Sequence, residues 1–133
     1  MPDCKLIRDR MPDIIRSHGD DPVTRIAGDA EYTALLLDKL AEEAGEVAAA
    51  DRADVPEELA DVLEVVYAIA DNLGVSRAGL EALRAGKAAE RGGFAGRVVW
   101  YRDGSPRSAE GVPGQRYHDA ESAVRAQLEA VDA

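Results

Sequence analysis

Two stretches of the chain, LLDKLAEEAGEV at residues 36–47 and PEELADVLEVVYAIA at residues 56–70, decide its fold. Both are rich in strong helix formers, and their apolar residues recur at the three- and four-residue spacing of one helix face. We therefore predict two successive helices. The first runs from Asp29 to about Asp51, and the second is opened by an Asp54 cap and stopped by Gly74.

Further helices are predicted on either side of this pair. Ser76 is suited to cap a third helix that ends at Arg91, before two glycines. Near the start of the chain, Pro12 suits the first turn of a short helix that ends at about Ser17. Residues 119–131 have the pattern of a final amphipathic helix, which follows a loop rich in Gly, Pro and Ser.

Two short segments have the composition of strands. These are Lys5 to Arg8, and the β-branched and aromatic run from Arg97 to Tyr101, which could pair with it. The predicted fold class is therefore mostly α: a helical bundle with a four-helix-type core, plus a short N-terminal strand paired near residues 97–101. We expect one domain over residues 1–101, with residues 102–133 joining the same domain or forming an oligomer contact.

Composition limits the partners of the protein. The 133 residues have the size of one domain, and the net charge of −10 has the wrong sign for holding a nucleic-acid polymer. No apolar stretch is long and charge-free enough to cross a membrane. The lone Cys4 cannot form an intramolecular disulfide, and no signal peptide is evident, so we expect a cytoplasmic protein.

Acidic residues interrupt the apolar stripe of each central helix. Projected at about 100° per residue, Glu43 falls in the middle of the first stripe and Glu46 at its edge. Glu58 and Asp61 share the second stripe in the same way. Acidic residues on a helix ordinarily form a solvated face. Because these acids lie within the apolar stripes of two helices, a functional site is an equally good interpretation.

Burying these four carboxylates without compensation is prohibitive, so a cation is expected among them. Hard divalent ions prefer oxygen ligands, which makes Mg²⁺ the natural candidate and Mn²⁺ an alternative. The chain has two histidines, neither near these acids, and one cysteine. A zinc site is therefore disfavoured.

Three segments together resemble a known family. The pattern Glu42-Glu43-x-x-Glu46, followed after an 11-residue gap by Glu58-x-x-Asp61, resembles the motif of the MazG-like all-α nucleotide pyrophosphohydrolases. That superfamily includes the phosphoribosyl-ATP pyrophosphohydrolases of histidine biosynthesis. KLIRDRMP at residues 5–12 resembles the KLVRDKIP opening of one subgroup, and KAAERGGF at residues 87–94 resembles its KxxERGGF segment.

The resemblance implies a function and an assembly. It implies that Glu43, Glu46, Glu58 and Asp61 bind Mg²⁺ and that the bond between the α- and β-phosphates of a nucleotide is cleaved. It also implies a homo-oligomer of helical bundles, either a homodimer or a homotetramer. Glu42 is placed to act as the general base, although an exposed acid on a helix flank is the more ordinary interpretation.

Basic residues supply candidate contacts to the substrate phosphates. The predicted strand pairing would bring the basic residues of the N-terminal segment close to those at the end of the third helix, and Lys39 lies beside the acids. The candidates are Lys5, Arg8, Arg10, Lys39, Lys87 and Arg91. Ordinary surface charge is an equally good interpretation of any one of them.

Three functions remain open from the sequence. The leading one is a magnesium-dependent pyrophosphohydrolase that converts a (deoxy)nucleoside triphosphate into monophosphate and pyrophosphate, in nucleotide-pool housecleaning. A phosphoribosyl-ATP pyrophosphohydrolase would share its metal site. The third is a non-catalytic acidic helical module that binds a protein or nucleotide without turnover.

Overall fold

A computed structural model describes residues 3–106, and in this range the protein is all-α. The helices are α1 (Met11–Ser17), α2 (Asp29–Ala49), α3 (Val55–Asn72) and α4 (Arg77–Arg91), with a short 3-10 turn at Arg52–Asp54 before α3. The predicted final helix at residues 119–131 lies outside the described residues.

Helices α2 and α3 make the principal contact of the fold, and α4 packs against α3. The connection between α2 and α3 is tight because Ala50 is extended, the 3-10 turn follows, and Val55 is fully buried. At the opposite end of this hairpin, Asn72 Nδ2 donates a hydrogen bond of 2.9 Å to Thr33 Oγ1. The hairpin therefore fixes which faces of α2 and α3 meet.

The helix boundaries confirm the main sequence predictions. Ser76 Oγ accepts a hydrogen bond of 3.0 Å from the backbone N–H of Gly79, as expected of an N-cap. Gly74 ends α3 with a φ of 76°, in the left-handed region that glycine adopts without strain. Asp54 does occupy the N-cap position of α3, but its side chain makes no capping hydrogen bond. Its backbone already has the helical conformation set by the preceding 3-10 turn.

The predicted strand pairing is wrong for the part of the chain that the structure describes. Residues 3–106 contain no strand. Arg97 has a φ of 56°, and its N–H bonds to the carbonyl of Phe94 at 3.1 Å, so the second segment begins with a turn rather than an extended run. The first segment, Lys5 to Arg8, contacts α2 and α3 instead, through ion pairs.

The core of the described region is small. Its buried hydrophobic residues are Leu36, Val55, Val65 and Ala70. Larger apolar side chains on α3 stay in contact with solvent, with Leu59 45% exposed and Leu63 48% exposed. Within residues 3–106, no helix is both long enough and apolar enough to cross a membrane.

Candidate metal centre

Three carboxylates meet where α2 packs against α3. Glu43 comes from α2, and Glu58 and Asp61 come from α3, one helical turn apart. One carboxylate oxygen from each lies within 4.8 Å of the other two. All three residues are half-buried, so the group opens to solvent on one side.

Two basic side chains contact this group. Lys39 Nζ lies 3.1 Å from Glu43 Oε1, and Arg8 Nη2 lies 2.6 Å from Asp61 Oδ1. Lys39 stands one turn before Glu43 on α2, whereas Arg8 comes from the segment before α1. The cationic groups of these two residues neutralise part of the acidic charge.

Glu58 experiences the repulsion between carboxylates that these two cations leave unbalanced. Its pKa is raised above the ordinary value of a glutamate, first by burial and then by the negative charges of Asp61, Glu46, Glu43 and Asp54. A raised carboxyl pKa means that the charged form is disfavoured at this position. The cluster therefore carries more negative charge than its neighbours balance.

The chemistry of these donors fits a magnesium ion. All three residues offer carboxylate oxygens, the ligands that hard divalent cations prefer. Two of these carboxylates already pair with a cation, Glu43 with the ammonium group of Lys39 and Asp61 with the guanidinium group of Arg8. The open side leaves space for water and substrate oxygens, which Mg²⁺ ordinarily keeps among its ligands. Glu43, Glu58 and Asp61 are therefore the residues that would hold it.

Two predicted acids lie beside this group rather than within it. Glu46 is exposed and close enough to raise the pKa of Glu58, but it is not one of the three clustered carboxylates. Glu42 contacts two ammonium groups, with Lys5 Nζ at 3.0 Å and Lys39 Nζ at 3.4 Å. Its pKa is lowered, mainly by the hydrogen bond from Lys5, and a lower pKa makes it a weaker proton acceptor.

The predicted basic residues divide into two groups. Lys5, Arg8 and Lys39 lie against the acids. Arg10 is exposed at the start of α1, and Lys87 and Arg91 are exposed on α4. The strand pairing that was expected to bring α4's basic residues to the N-terminal segment is absent from residues 3–106.

Sequence reasoning missed how the N-terminal arm, residues 3–10, binds to the hairpin. Leu6 and Ile7 are half-buried between the two cationic anchors, Lys5 and Arg8. A cavity of about 60 Å³ separates the arm from α2, and it is lined by Cys4, Lys5, Leu6, Leu35, Asp38, Lys39 and Glu42. The available signal was the pair of apolar residues Leu6 and Ile7 between the basic Lys5 and Arg8, and this composition predicted a strand instead.

Comparison with known proteins gives one partial relative. The chain is 49% identical over 51 residues to a protein of Mycolicibacterium smegmatis (strain ATCC 700084 / mc(2)155) that is described only as an uncharacterized protein. The match covers 38% of this chain and 52% of the relative, so the chain spans about half the length of that protein. No family model matches the chain, and no solved structure matches it.

Proposed function

We propose that the protein is a magnesium-dependent nucleotide pyrophosphohydrolase that converts a (deoxy)nucleoside triphosphate into a monophosphate and pyrophosphate. The observation that carries this proposal is the convergence of Glu43, Glu58 and Asp61 between two helices. These acids stand within the segments whose spacing resembles the MazG-like pyrophosphohydrolases. Removal of unwanted nucleotides in the cytoplasm is the corresponding role.

The divalent ion would neutralise phosphate charge and polarise the phosphoryl group. Glu43, Glu58 and Asp61 would hold it, and Glu46 would add negative charge from the edge of the cluster. A water attacks the α-phosphorus, the bond from that phosphorus to the bridging oxygen breaks, and pyrophosphate leaves. Glu42 takes the proton of this water once Lys5 no longer holds its carboxylate.

In this proposal the basic residues bind the phosphates of the substrate. A nucleoside triphosphate brings about four negative charges to an acidic protein, so cationic side chains must offset them. Arg8 and Lys39 contact the cluster itself, and Lys5 contacts the neighbouring Glu42. Arg10, Lys87 and Arg91 complete the proposed set from further along the surface.

We propose a homodimer or homotetramer whose four-helix-type core combines α2–α3 hairpins from two copies. The support is the small core of the protomer and the exposure of Leu59 and Leu63 on α3. An α-helix with apolar residues on two sides needs two packing partners.

The test is a panel of standard, deoxy and modified nucleoside triphosphates, with phosphoribosyl-ATP included, assayed for pyrophosphate release in Mg²⁺ and in excess EDTA. Release from a nucleoside triphosphate, in Mg²⁺ alone, is the expected result. Release from phosphoribosyl-ATP alone would assign the protein to histidine biosynthesis. Absence of release across the whole panel would contradict catalysis and favour a binding module.

A further inference from the structure

The contact between Arg8 and Asp61 joins the N-terminal arm to the candidate metal centre. Arg8 Nη2 lies 2.6 Å from Asp61 Oδ1, although the two residues are 53 positions apart in the sequence. Asp61 is one of the three clustered carboxylates. The guanidinium group therefore uses an oxygen from the same carboxyl that a divalent ion would use.

A second ion pair fastens the same arm next to the cluster. Lys5 Nζ lies 3.0 Å from Glu42 Oε1, and Glu42 directly precedes Glu43 on α2. Lys5 thus holds the arm to α2, and Arg8 holds it to α3. Both of these basic residues are more than half exposed, so solvent has access to each contact.

A divalent ion and the Arg8 guanidinium repel each other when both are bound to Asp61. Magnesium lies about 2.0–2.1 Å from its oxygen ligands, which would put it within a few ångströms of the guanidinium. The guanidinium has alternatives in water or on a substrate anion, because Arg8 is 57% exposed. The other two carboxylates of the cluster are fixed on packed helices, so once an ion is bound there the guanidinium is the cation that can move away.

We propose that the arm is an electrostatic strap that competes with the divalent ion for Asp61. In the metal-free protein Arg8 occupies Asp61 and the arm lies on the hairpin, and metal binding releases Arg8 and loosens the arm. The released guanidinium then faces the side from which phosphate oxygens approach. This inference rests on the proposed function in taking Glu43, Glu58 and Asp61 as the metal site.

Because the arm and the metal compete for Asp61, each weakens the binding of the other. If the arm weakens metal binding by a given factor, the metal weakens docking of the arm by the same factor. Ion pairs of this exposure are worth little, so the factor is up to about fivefold. Arg8→Gln should therefore tighten Mg²⁺ binding by about twofold to fivefold.

The experiment uses Cys4, the one cysteine of the chain, which is exposed on the arm. A nitroxide attached to Cys4 reports the mobility of the arm by electron paramagnetic resonance, while calorimetry on the same preparations measures Mg²⁺ affinity. The variants are Arg8→Gln and a control, Arg16→Gln, whose arginine pairs with Asp13 within α1.

In the wild type and in Arg16→Gln, Mg²⁺ should narrow the nitroxide spectrum, which indicates a more mobile arm. In Arg8→Gln, which keeps the Lys5–Glu42 pair, the spectrum should be narrower than that of the wild type before Mg²⁺ is added and should change little on its addition, while Mg²⁺ binds more tightly. Mg²⁺ binding with no change of the wild-type spectrum, or unchanged or weaker Mg²⁺ affinity in Arg8→Gln, overturns the strap and leaves the proposed function standing. Absence of Mg²⁺ binding to the wild type overturns both.

Discussion

At the residue scale, the charge of Glu58 destabilises the folded protein. Burial and four neighbouring carboxylates raise its pKa, so the unfolded chain gives up this proton more readily than the folded one. As the pH rises from the ordinary range of a glutamate through the raised folded pKa, the folded state loses stability relative to the unfolded state. A divalent ion bound at the cluster would remove this destabilisation by supplying the missing positive charge.

Glu58→Gln should therefore raise the melting temperature of the metal-free protein at neutral pH, because the amide removes one charge from the repulsion. The difference from wild type should shrink as the pH falls toward the ordinary pKa of a glutamate. Mg²⁺ should stabilise the wild type and have little effect on the variant. Thermal unfolding in EDTA and in Mg²⁺ measures both, with Glu64→Gln, an exposed acid of the same helix, as the control. A lower melting temperature for metal-free Glu58→Gln would contradict the account.

Asp61→Asn should lower turnover by about two orders of magnitude or more, the usual loss on removing a preorganised electrostatic group. The variant should stay folded, because the amide keeps the shape of the side chain. Pyrophosphate release and far-ultraviolet circular dichroism measure the two properties. Asp71→Asn is the matched control, since Asp71 is exposed near the other end of α3. Turnover at the wild-type rate in Asp61→Asn would remove the proposed site.

The sequence predicted part of this site for a physical reason. Helical spacing alone places Glu43, Glu58 and Asp61 on the inner faces of two neighbouring helices, and the structure brings these three together. The pairing of Arg8 with Asp61 was not predictable in this way. It depends on the path of the chain between residues 53 positions apart, and no local periodicity carries that information.

At the scale of the element, local capping sets where α4 begins. Ser76→Ala removes the hydroxyl that accepts from the backbone N–H of Gly79 and should destabilise the protein by about 1 kcal/mol. Denaturant unfolding with the midpoint and slope both fitted checks this value. Ser17→Ala, which removes a hydroxyl bonded to the carbonyl of Ile14, should change stability by less than about 0.5 kcal/mol. Equal losses in both variants would count against a specific capping role.

The strand prediction failed because composition indicates that a segment prefers an extended backbone but does not show which segment will pair with it. The segment from Arg97 to Tyr101 is β-branched and aromatic, but a strand needs a second backbone to bond with. The arm that was expected to supply this backbone is held by Glu42 and Asp61 instead. The helices were predictable because their hydrogen bonds are local. The residues that end them, Gly74 and the glycine pair after Arg91, can also be identified in the sequence.

At the scale of the whole molecule, few apolar side chains are fully buried in the part of the chain that the structure describes. The chain is 46% hydrophobic, yet in the described residues only Leu36, Val55, Val65 and Ala70 form the buried core. Sequence patterns identify apolar faces but do not state whether the same chain or another copy covers them. The four-helix-type core therefore stays a prediction, and within residues 3–106 the main helix contact is that of α2 with α3.

Replacing Leu59 and Leu63 together by Glu should shift the protein to a monomer, because two charges would enter the proposed contact between copies. Light scattering at micromolar concentration measures the mass. Val23→Glu, at a fully exposed position between α1 and α2, should leave the mass unchanged. A monomeric wild type would contradict the proposed assembly.

If the small core described above is completed by another copy, as proposed, stability should depend on the concentration of the protein. A chain that completes its apolar contacts with another copy gains part of its free energy of unfolding by mass action. Its melting temperature should rise with protein concentration over the range where association occurs, whereas a self-sufficient monomer melts at one temperature at every dilution. In a cell, a fall in expression would then lower the folded fraction of the chains that remain, so abundance itself would act on the supply of folded protein.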